Sequence, residues 1–418
     1  MKDFVPVKDI PKYEGKKVKI RGWVYRKRDQ KKIVFIILRD SSGLIQIAAK
    51  DIPEAQKATI ESSIIIEGKV KKDDRAPSGY EISADKVEIV GLAERFPIGK
   101  DISDEFTRDV RHLWVRSRYI TSILKVRSEV FKAIREFYSE RGFFEVQAPS
   151  FTASACEGGS TLFAVKYFDK EVYLTQSWQL YAEAMIHSLE KIFTIAPSYR
   201  AEKSRTIRHL AEYWHHEMEV AWMDHDEMME FEEDLIIYIV KHVLKHCEAE
   251  LKELERDTSD LKAIKKPFMK ISYKDAMKKM KKPATHDITD KEERKLIEDL
   301  GSKPVFLTGF PRKMKAFYMK VDPKDKKYVL ASDLLLPGIG EVVGGSQRID
   351  TLDELKESMK LFKLKEKDYA WYMDLLRYGA VPHSGFGLGV ERIVMWLTGA
   401  KHVMDTIPFP RTMDRVYP

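Results

Sequence analysis

The sequence predicts an α+β protein in two parts: a small N-terminal five-stranded β-barrel, then a larger domain built on an antiparallel sheet flanked by helices. Three observations predict it. From Lys16 to about Ala93 the chain breaks into five short strand-like runs, the spacing of a small barrel. Farther on, one long stretch repeats apolar residues every three or four positions, the period of an amphipathic helix, and a second begins among acids and ends among lysines. The last strand-like run, HSGFGLG at 383–389, carries a glycine at every second position.

The barrel runs are KVKIRGWVY, KKIVFIILRD, LIQIAAK, SSIIIEGKV and YEISADKVEIVGL, separated by turn signals such as DSSG and DDRAPSG. They assign residues 1–97 to the barrel and 98–117, with Pro97 and Gly99 at its start, to a linker. The stretch RYITSILKVRSEVFKAIREFYSERG places Ile120, Ile123, Leu124, Val130, Phe131, Ile134 and Phe137 on one helical face, with Gly142 as its stop. FFEVQAPSF then turns strand-like and is halted by Pro149. A second helix is expected from Asp224 to Leu254, acidic at its start and lysine-rich at its end, as the helix dipole favours. Residues 118–418 form the second domain, and the weakly patterned, lysine-rich stretch at about 255–300 reads as a peripheral helical insertion. In HSGFGLG, Gly385, Gly387 and Gly389 share one face of the strand and strip it to backbone, so that something flat can lie there. The other reading is a glycine hinge.

At 418 residues and 44% hydrophobic, the chain can bury a large core. No run of eighteen apolar residues and no secretory leader is present, so the expectation is a cytoplasmic protein without a membrane span. Cys156 and Cys247 lack any CxxC partner, which argues against disulfides and structural zinc. A net charge of +7 suits a polyanionic partner without requiring one.

The stretch IFTIAPSYRAEKSRTIRHLAEYWHHEMEVAW reads as two strands joined by a cationic loop, with Arg200 and Glu202 after the first strand, Arg205 and Arg208 in the loop, and Glu217 and Glu219 in the second strand. Together with FFEVQAPSF and GFGLGVER, in that order along essentially the whole chain, it resembles the three signature motifs of the class II aminoacyl-tRNA synthetases. The resemblance implies an ATP-dependent ligase that joins an amino acid to tRNA through an adenylate. Fixed cations suit that chemistry, because negative charge builds on the α-phosphate in the transition state. By resemblance the catalytic residues are Arg200, Arg392 and His209. Arg200 faces the α-phosphate, Glu202 the adenine amino group, and Arg208 and His209 the γ-phosphate. The purine lies between Tyr213 and Arg392, the flat guest of the glycine strand. Asp333 and Glu341 are implied to hold Mg2+. Gly344 stands where the related aspartate enzymes carry a serine that helps with the metal, so the full ligand set stays open. Glu157 and Gln179 match residues that bind the α-ammonium group, with Ser177 adjacent, and Gln176 and His383 line the same pocket. A homodimer with Pro149 at its twofold interface follows from the first motif.

The barrel resembles the oligonucleotide/oligosaccharide-binding (OB) fold that subclass IIb of this family uses for the anticodon. Phe35 would stack on a base, Gln46 would read a base edge, and Arg26, Lys27, Arg28, Lys31 and Lys32 would meet phosphates. Phe35 as one more core residue is the competing reading.

Within the family the choice lies among aspartate, asparagine and lysine. The aspartate enzymes carry a lysine just after the tyrosine of their Q-L-Y stretch, and here that position is Ala182, followed by Glu183. Glu183 is expected to accept from an amide NH2 and Arg348 to donate to the amide oxygen. CEGGSTLF, RAEKSRTIRHLAEYWH and GEVVGGSQR also resemble archaeal-type asparaginyl-tRNA synthetases. The expected partners are therefore L-asparagine, ATP and tRNA(Asn). A nondiscriminating aspartyl-tRNA synthetase, an asparagine synthetase-like ligase and a non-catalytic nucleic-acid-binding protein are the rivals.

Overall fold

Alternation of apolar side chains closes the barrel. A computed structural model describes residues 4–99, 101–153, 156, 161–203 and 206–418. The chain divides into two compact units, Met1–Thr107 and Arg108–Pro418. In the first, β1 (Lys17–Gln30), β2 (Ile33–Arg39), β3 (Leu44–Lys50), β4 (Ser63–Lys72) and β5 (Tyr80–Gly91) form a closed barrel in the order β1-β2-β3-β5-β4. Every second residue points inward: Val34, Ile36 and Leu38 of β2 meet Ile45 and Ile47 of β3 in one apolar cluster. A bulge in β1 between Val24 and Arg26 shifts that parity. Val24 is buried before it, and Arg26 and Arg28 are exposed after it.

The second unit holds a three-stranded sheet, β7 (Phe151–Thr152), β9 (Lys170–Leu174) and β8 (Ala164–Tyr167), and a larger eight-stranded one. The larger sheet contains β6 (Phe144–Glu145), β10 (Lys191–Tyr199), β11 (Glu212–Ala221), β12 (Met269–Ser272), β13 (Val305–Pro311), β14 (Tyr328–Leu336), β15 (Gly340–Gln347) and β16 (His383–Gly389). Their order is β12-β13-β14-β15-β16-β11-β10-β6. The six central strands are antiparallel, as expected, but the two end pairs, β12 with β13 and β10 with β6, are parallel, so the sheet is mixed. Strand β12 comes from the segment expected to be a peripheral helical insertion and forms one edge of this sheet. That segment also supplies the helix Asp290–Asp299.

Helix Arg118–Ser139 starts on Ser117, whose hydroxyl accepts the Ile120 N–H, and ends before Gly142 at φ +73°. Helix His225–His246 starts with a reciprocal Asp224 and Glu227 capping box. The helix expected over 224–254 breaks at Cys247 and resumes as Glu248–Glu253. These helices and Val390–Thr398 cover one face of the sheet, packing against Met218, Val343, Phe386 and Leu388. Period two sends their neighbours Glu217, Glu219, Gly344, Gly385 and Gly387 to the other face. Among the described residues no helix is long and apolar enough to cross a membrane.

His216 of β11 points into the covered side, where Nδ1 donates to Thr194 O at 3.0 Å and Nε2 accepts from Tyr138 OH at 2.9 Å. Burial pushes its pKa down to about 3, against a weaker pull from the Thr194 carbonyl. A depressed histidine contributes stability in full above its unfolded pKa of about 6.5 and loses it as pH falls towards 3. The advantage of the wild type over His216→Gln in urea denaturation is expected to shrink between pH 7 and pH 4, by up to about 1.4 kcal/mol per unit. A pH-independent difference would contradict this.

Candidate active site

The glycine column of β16 is filled mostly by the protein itself. A Cβ on Gly385 would lie 2.1 Å from Glu219 Oε2, and one on Gly387 2.3 Å from His215 Nε2. Only at Gly389 would a Cβ meet nothing nearer than the Arg392 stem at 3.7 Å. An imidazole at Gly387 and a carboxylate at Gly385 thus fill most of the column, and Gly389 alone of the three leaves room for the expected flat guest. Gly387 and Gly389 border a narrow slot of about 80 Å³, lined also by Arg200, Glu202, Arg208, His209, Tyr213, Glu341 and Arg392. All seven residues that the resemblance assigns to ATP thus share one slot.

Within it, the Arg200 guanidinium lies 5.6 Å from the Tyr213 ring centroid, and its Nη1 is 3.9 Å from Glu202 Oε1. Arg392 Nη1 donates to Glu341 O at 2.9 Å and meets Glu341 Oε2 at 3.2 Å. His209 Nδ1 contacts the Thr206 hydroxyl. Burial, then Arg392 and Arg208, hold the His209 pKa below its usual value, so the ring is neutral at pH 7. Arg208 is buried against Glu293 at 2.5 Å and Asp290 at 2.7 Å. Sequence reasoning missed both acids, because they come from the helix Asp290–Asp299. The one available signal was Gly340, whose φ is +90° and whose Cβ would strike Glu293 and Arg208.

A wider cavity of about 550 Å³ shares Arg200, His215, Glu341 and Gly387 with the slot and adds Ser177, Gln179, Glu219, Lys315, Asp333 and Arg348. Asp333 and Gly344 are direct cross-strand partners. A Cβ on Gly344 would lie 3.5 Å from Asp333 Oδ1 and 3.4 Å from Glu341 Oε1, so both carboxylates border the space that this glycine leaves. Two hard oxygen donors around one space fit Mg2+. Lys315 Nζ, which the sequence did not flag, contacts Asp333 at 2.6 and 2.7 Å. Burial pushes the Asp333 carboxyl up to about 7 despite that ammonium. At Glu341 burial again opposes ionisation, but Arg392, Lys315, Arg208 and Arg200 outweigh it and pull the pKa down.

The deep wall of this cavity is a buried charge network. Arg348 donates through Nε and Nη2 to Glu219, both at 2.9 Å, and through Nη1 to Ser346 Oγ at 2.7 Å. Its guanidinium also lies 5.3 Å from the Tyr318 ring centroid. Glu183 does not line the cavity. Its carboxylate accepts from Gln179 Nε2 at 2.8 Å, Tyr372 OH at 2.5 Å and His383 Nε2 at 3.1 Å. The other His383 nitrogen faces Val381 O at 2.7 Å. Both partners are acceptors, so the ring is an imidazolium. Burial opposes that charge, but Glu183 and Glu219 raise the His383 pKa above its usual value. Expected to read an amide directly, Glu183 is instead engaged by three protein donors, whereas Glu219, paired with Arg348, does line the cavity. Glu183, Glu219 and His383 cluster as metal ligands would, but His383, protonated at both nitrogens, has no lone pair to offer and Arg348 neutralises Glu219. Ser177 donates to Glu217, which also accepts the Trp178 N–H at 3.0 Å. Gln176 is buried and donates to Thr161 Oγ1 at 2.6 Å, off the cavity wall. Glu157 lies outside the described residues.

On the barrel, Phe35 is half-buried on the outward parity of β2, opposite to Val34 and Ile36, and so is not a core residue. Cross-strand pairing sets it beside Arg28 and Ala48, and sets Ile37 between Arg26 and Gln46. Gln46 Nε2 donates to Glu81 at 2.7 Å. One face thus carries an aromatic ring, an amide and two exposed arginines.

The chain matches the family model described as tRNA synthetases class II (D, K and N) over residues 103–413 and that of the OB-fold nucleic acid binding domain over residues 18–90. It is 48% identical over 419 residues to an asparagine--tRNA ligase of Thermoplasma acidophilum, spanning 97% of each chain. It is also 48% identical over 431 residues to that of Thermococcus gammatolerans, spanning 100% of each. Among solved structures it matches asparaginyl-tRNA synthetase from Pyrococcus horikoshii complexed with asparaginyl-adenylate, with a TM-score of 0.97, 43% identity and 100% coverage of both chains. The chain belongs to the class II tRNA synthetases of the D, K and N group and, within them, to the asparaginyl-tRNA synthetases.

Proposed function

We propose that the protein joins L-asparagine to ATP and passes the asparaginyl group to tRNA(Asn). An α-carboxylate oxygen of asparagine attacks the α-phosphorus, pyrophosphate leaves with the bond electrons, and a terminal ribose hydroxyl of tRNA then displaces AMP. Arg200 borders both the slot and the wider cavity, where the α-phosphate must lie between the two substrates. A fixed guanidinium there stabilises the charge that builds on phosphate oxygens. Tyr213 and Arg392 flank the purine and Glu202 accepts from its amino group. His209, neutral, donates a hydrogen bond to the phosphates rather than a charge. Mg2+ held by Asp333 and Glu341 would neutralise phosphate charge. Gln179 and Ser177, on the cavity wall, serve the α-ammonium end. Glu157 and Gln176 are proposed on the resemblance alone.

The charge balance of the deep wall carries the choice of amino acid. Burial raises the Glu219 carboxyl above its usual value and the paired Arg348 opposes that rise; with Glu219 ionised, Glu183 and Glu219 bring two negative charges and Arg348 and His383 two positive ones, so the network is neutral before substrate enters. A neutral amide can add to it, with Glu219 accepting from its NH2 and Arg348 donating to its oxygen. An aspartate side chain would add an uncompensated buried charge. The position after Tyr181, where aspartate enzymes place lysine, is Ala182, fully buried and without charge. Glu183 then acts one step back, holding His383 and Gln179.

The outward face of the barrel supports anticodon binding, with Phe35 stacking on a base, Gln46 reading an edge, and Arg26 and Arg28 meeting phosphates. The short edge strand β6, with Phe144 exposed, and the exposed Phe151 beyond Pro149 support a twofold homodimer.

Pyrophosphate exchange with each of the twenty amino acids tests the function: asparagine alone should drive it strongly, and equal exchange with aspartate would favour a nondiscriminating aspartyl enzyme. Glu219→Gln is expected to weaken asparagine activation by about 1 to 3 kcal/mol, the cost of a buried polar group that loses its charged partner. An unchanged asparagine-to-aspartate ratio in that variant would remove Glu219 from amide reading. Phe35→Ala should reduce tRNA charging by about 1 to 3 kcal/mol and leave exchange untouched. Equal losses in both assays would assign Phe35 to barrel stability.

A further inference from the structure

The helix Asp290–Asp299 sends two carboxylates into the wall of the ATP slot. Its start is fixed by a capping box of Thr289 and Glu292, which puts Asp290 and Glu293 three apart in the first turn and on one side. Glu293 Oε2 lies 2.5 Å from Arg208 Nη1 and also accepts the Glu341 backbone N–H at 3.0 Å. Asp290 pairs through Oδ1 with Arg208 Nε and through Oδ2 with Arg294, both at 2.7 Å. Arg208 is therefore hydrogen-bonded at Nη1 and flanked at Nε by a second carboxylate, and it still lines the slot. Gly340 makes the contact possible: its Cβ would stand 2.4 Å from Glu293 Oε2 and 2.5 Å from Arg208 Nη1.

We propose that Glu293, assisted by Asp290, is a positioning residue for the triphosphate: it fixes Arg208 so that Nη2 is presented to the γ-phosphate, and fixes Glu341 through its backbone N–H. This rests on the ATP assignment above. An arginine held at Nη1 and flanked at Nε by a second carboxylate has lost much of its rotamer freedom on folding, so phosphate capture carries less of that cost. Glu341 in turn touches Arg392, so one carboxylate is linked to arginines on both sides of the slot. The Glu219 and Arg348 network has partners of its own and none of these. Loss of Glu293 should therefore harm triphosphate binding and spare asparagine.

Calorimetric titration with a non-hydrolysable ATP analogue, in the absence of amino acid, reads this directly. Glu293→Gln is expected to bind about tenfold more weakly than the wild type, and Arg208→Ala at least as weakly. The double variant should be no weaker than Arg208→Ala, because no guanidinium is left to hold and the amide oxygen of the Glu293→Gln side chain can still accept the Glu341 N–H. AMP, which lacks the distal phosphates, should bind all of them alike, and the asparagine KM in exchange should not move. Asp290→Asn, which leaves the Glu341 contact in place, should show the same pattern more weakly and serves if Glu293→Gln does not fold. Unchanged or tighter analogue binding in Glu293→Gln, an equal loss for AMP, or additive losses in the double variant would overturn the proposal. A wild type that binds no ATP analogue would overturn the ATP assignment, and this proposal with it.

Discussion

Arg348 and Glu219 meet through two parallel contacts of 2.9 Å, at 3% and 1% exposure. Breaking such a pair from one side costs about 3 to 5 kcal/mol, because the remaining charge stays buried. Much of the surrounding sequence serves to keep this pair satisfied. Gly385 has no side chain because the Glu219 carboxylate fills that place. Ser346 takes a third guanidinium donor and Tyr318 lies against the cation. Behind it, Glu183, His383 and Tyr372 form a second set of satisfied charges. The pair is stabilising only with that shell, since a buried network with a missing partner is worse than an apolar core.

The same sheet face divides the chemistry between two cavities. One is lined by the groups proposed for ATP, the other by those proposed for an amino acid, and Arg200, His215, Glu341 and Gly387 belong to both. Their overlap is where a carboxylate and an α-phosphate can come together. Strand parity produces this economically: on β11, Glu217 and Glu219 face the site, while His216, Met218 and Val220 face the helices. Asp333, Gly344, Gly387 and Glu217 form one cross-strand row through β14, β15, β16 and β11.

Much of this was legible in the sequence, for reasons that differ by element. The barrel showed itself through strict alternation, and the Arg118–Ser139 helix through its period and its Ser117 and Gly142 ends. The residues that line the narrow slot were legible because the motif keeps most of them near one another in the chain. The parallel sheet ends were not, since β6 and β12 are two and four residues long and carry little pattern. Glu293 on Arg208, Lys315 on Asp333 and Tyr372 on Glu183 were invisible for another reason. Each pair joins residues 18 to 189 positions apart, and no local period marks such a contact. The glycine column announced a vacancy but not its occupants, because a missing side chain says only that something comes close. Glu183 was legible as a pocket acid, but whether it touched substrate depended on Tyr372 and His383 reaching it first.

The most direct test of a charge-balanced pocket is the affinity of the wild type for two matched inhibitors, the sulfamoyl analogues of asparaginyl- and aspartyl-adenylate, measured by calorimetry at pH 7. They differ only in an amide against a carboxylate, so ATP-side contacts cancel. A neutral network that reads an amide predicts that the asparaginyl analogue binds tighter by about 10² or more, as expected when a buried charge is left unpaired. Equal affinity, or a preference for the aspartyl analogue, would contradict the account.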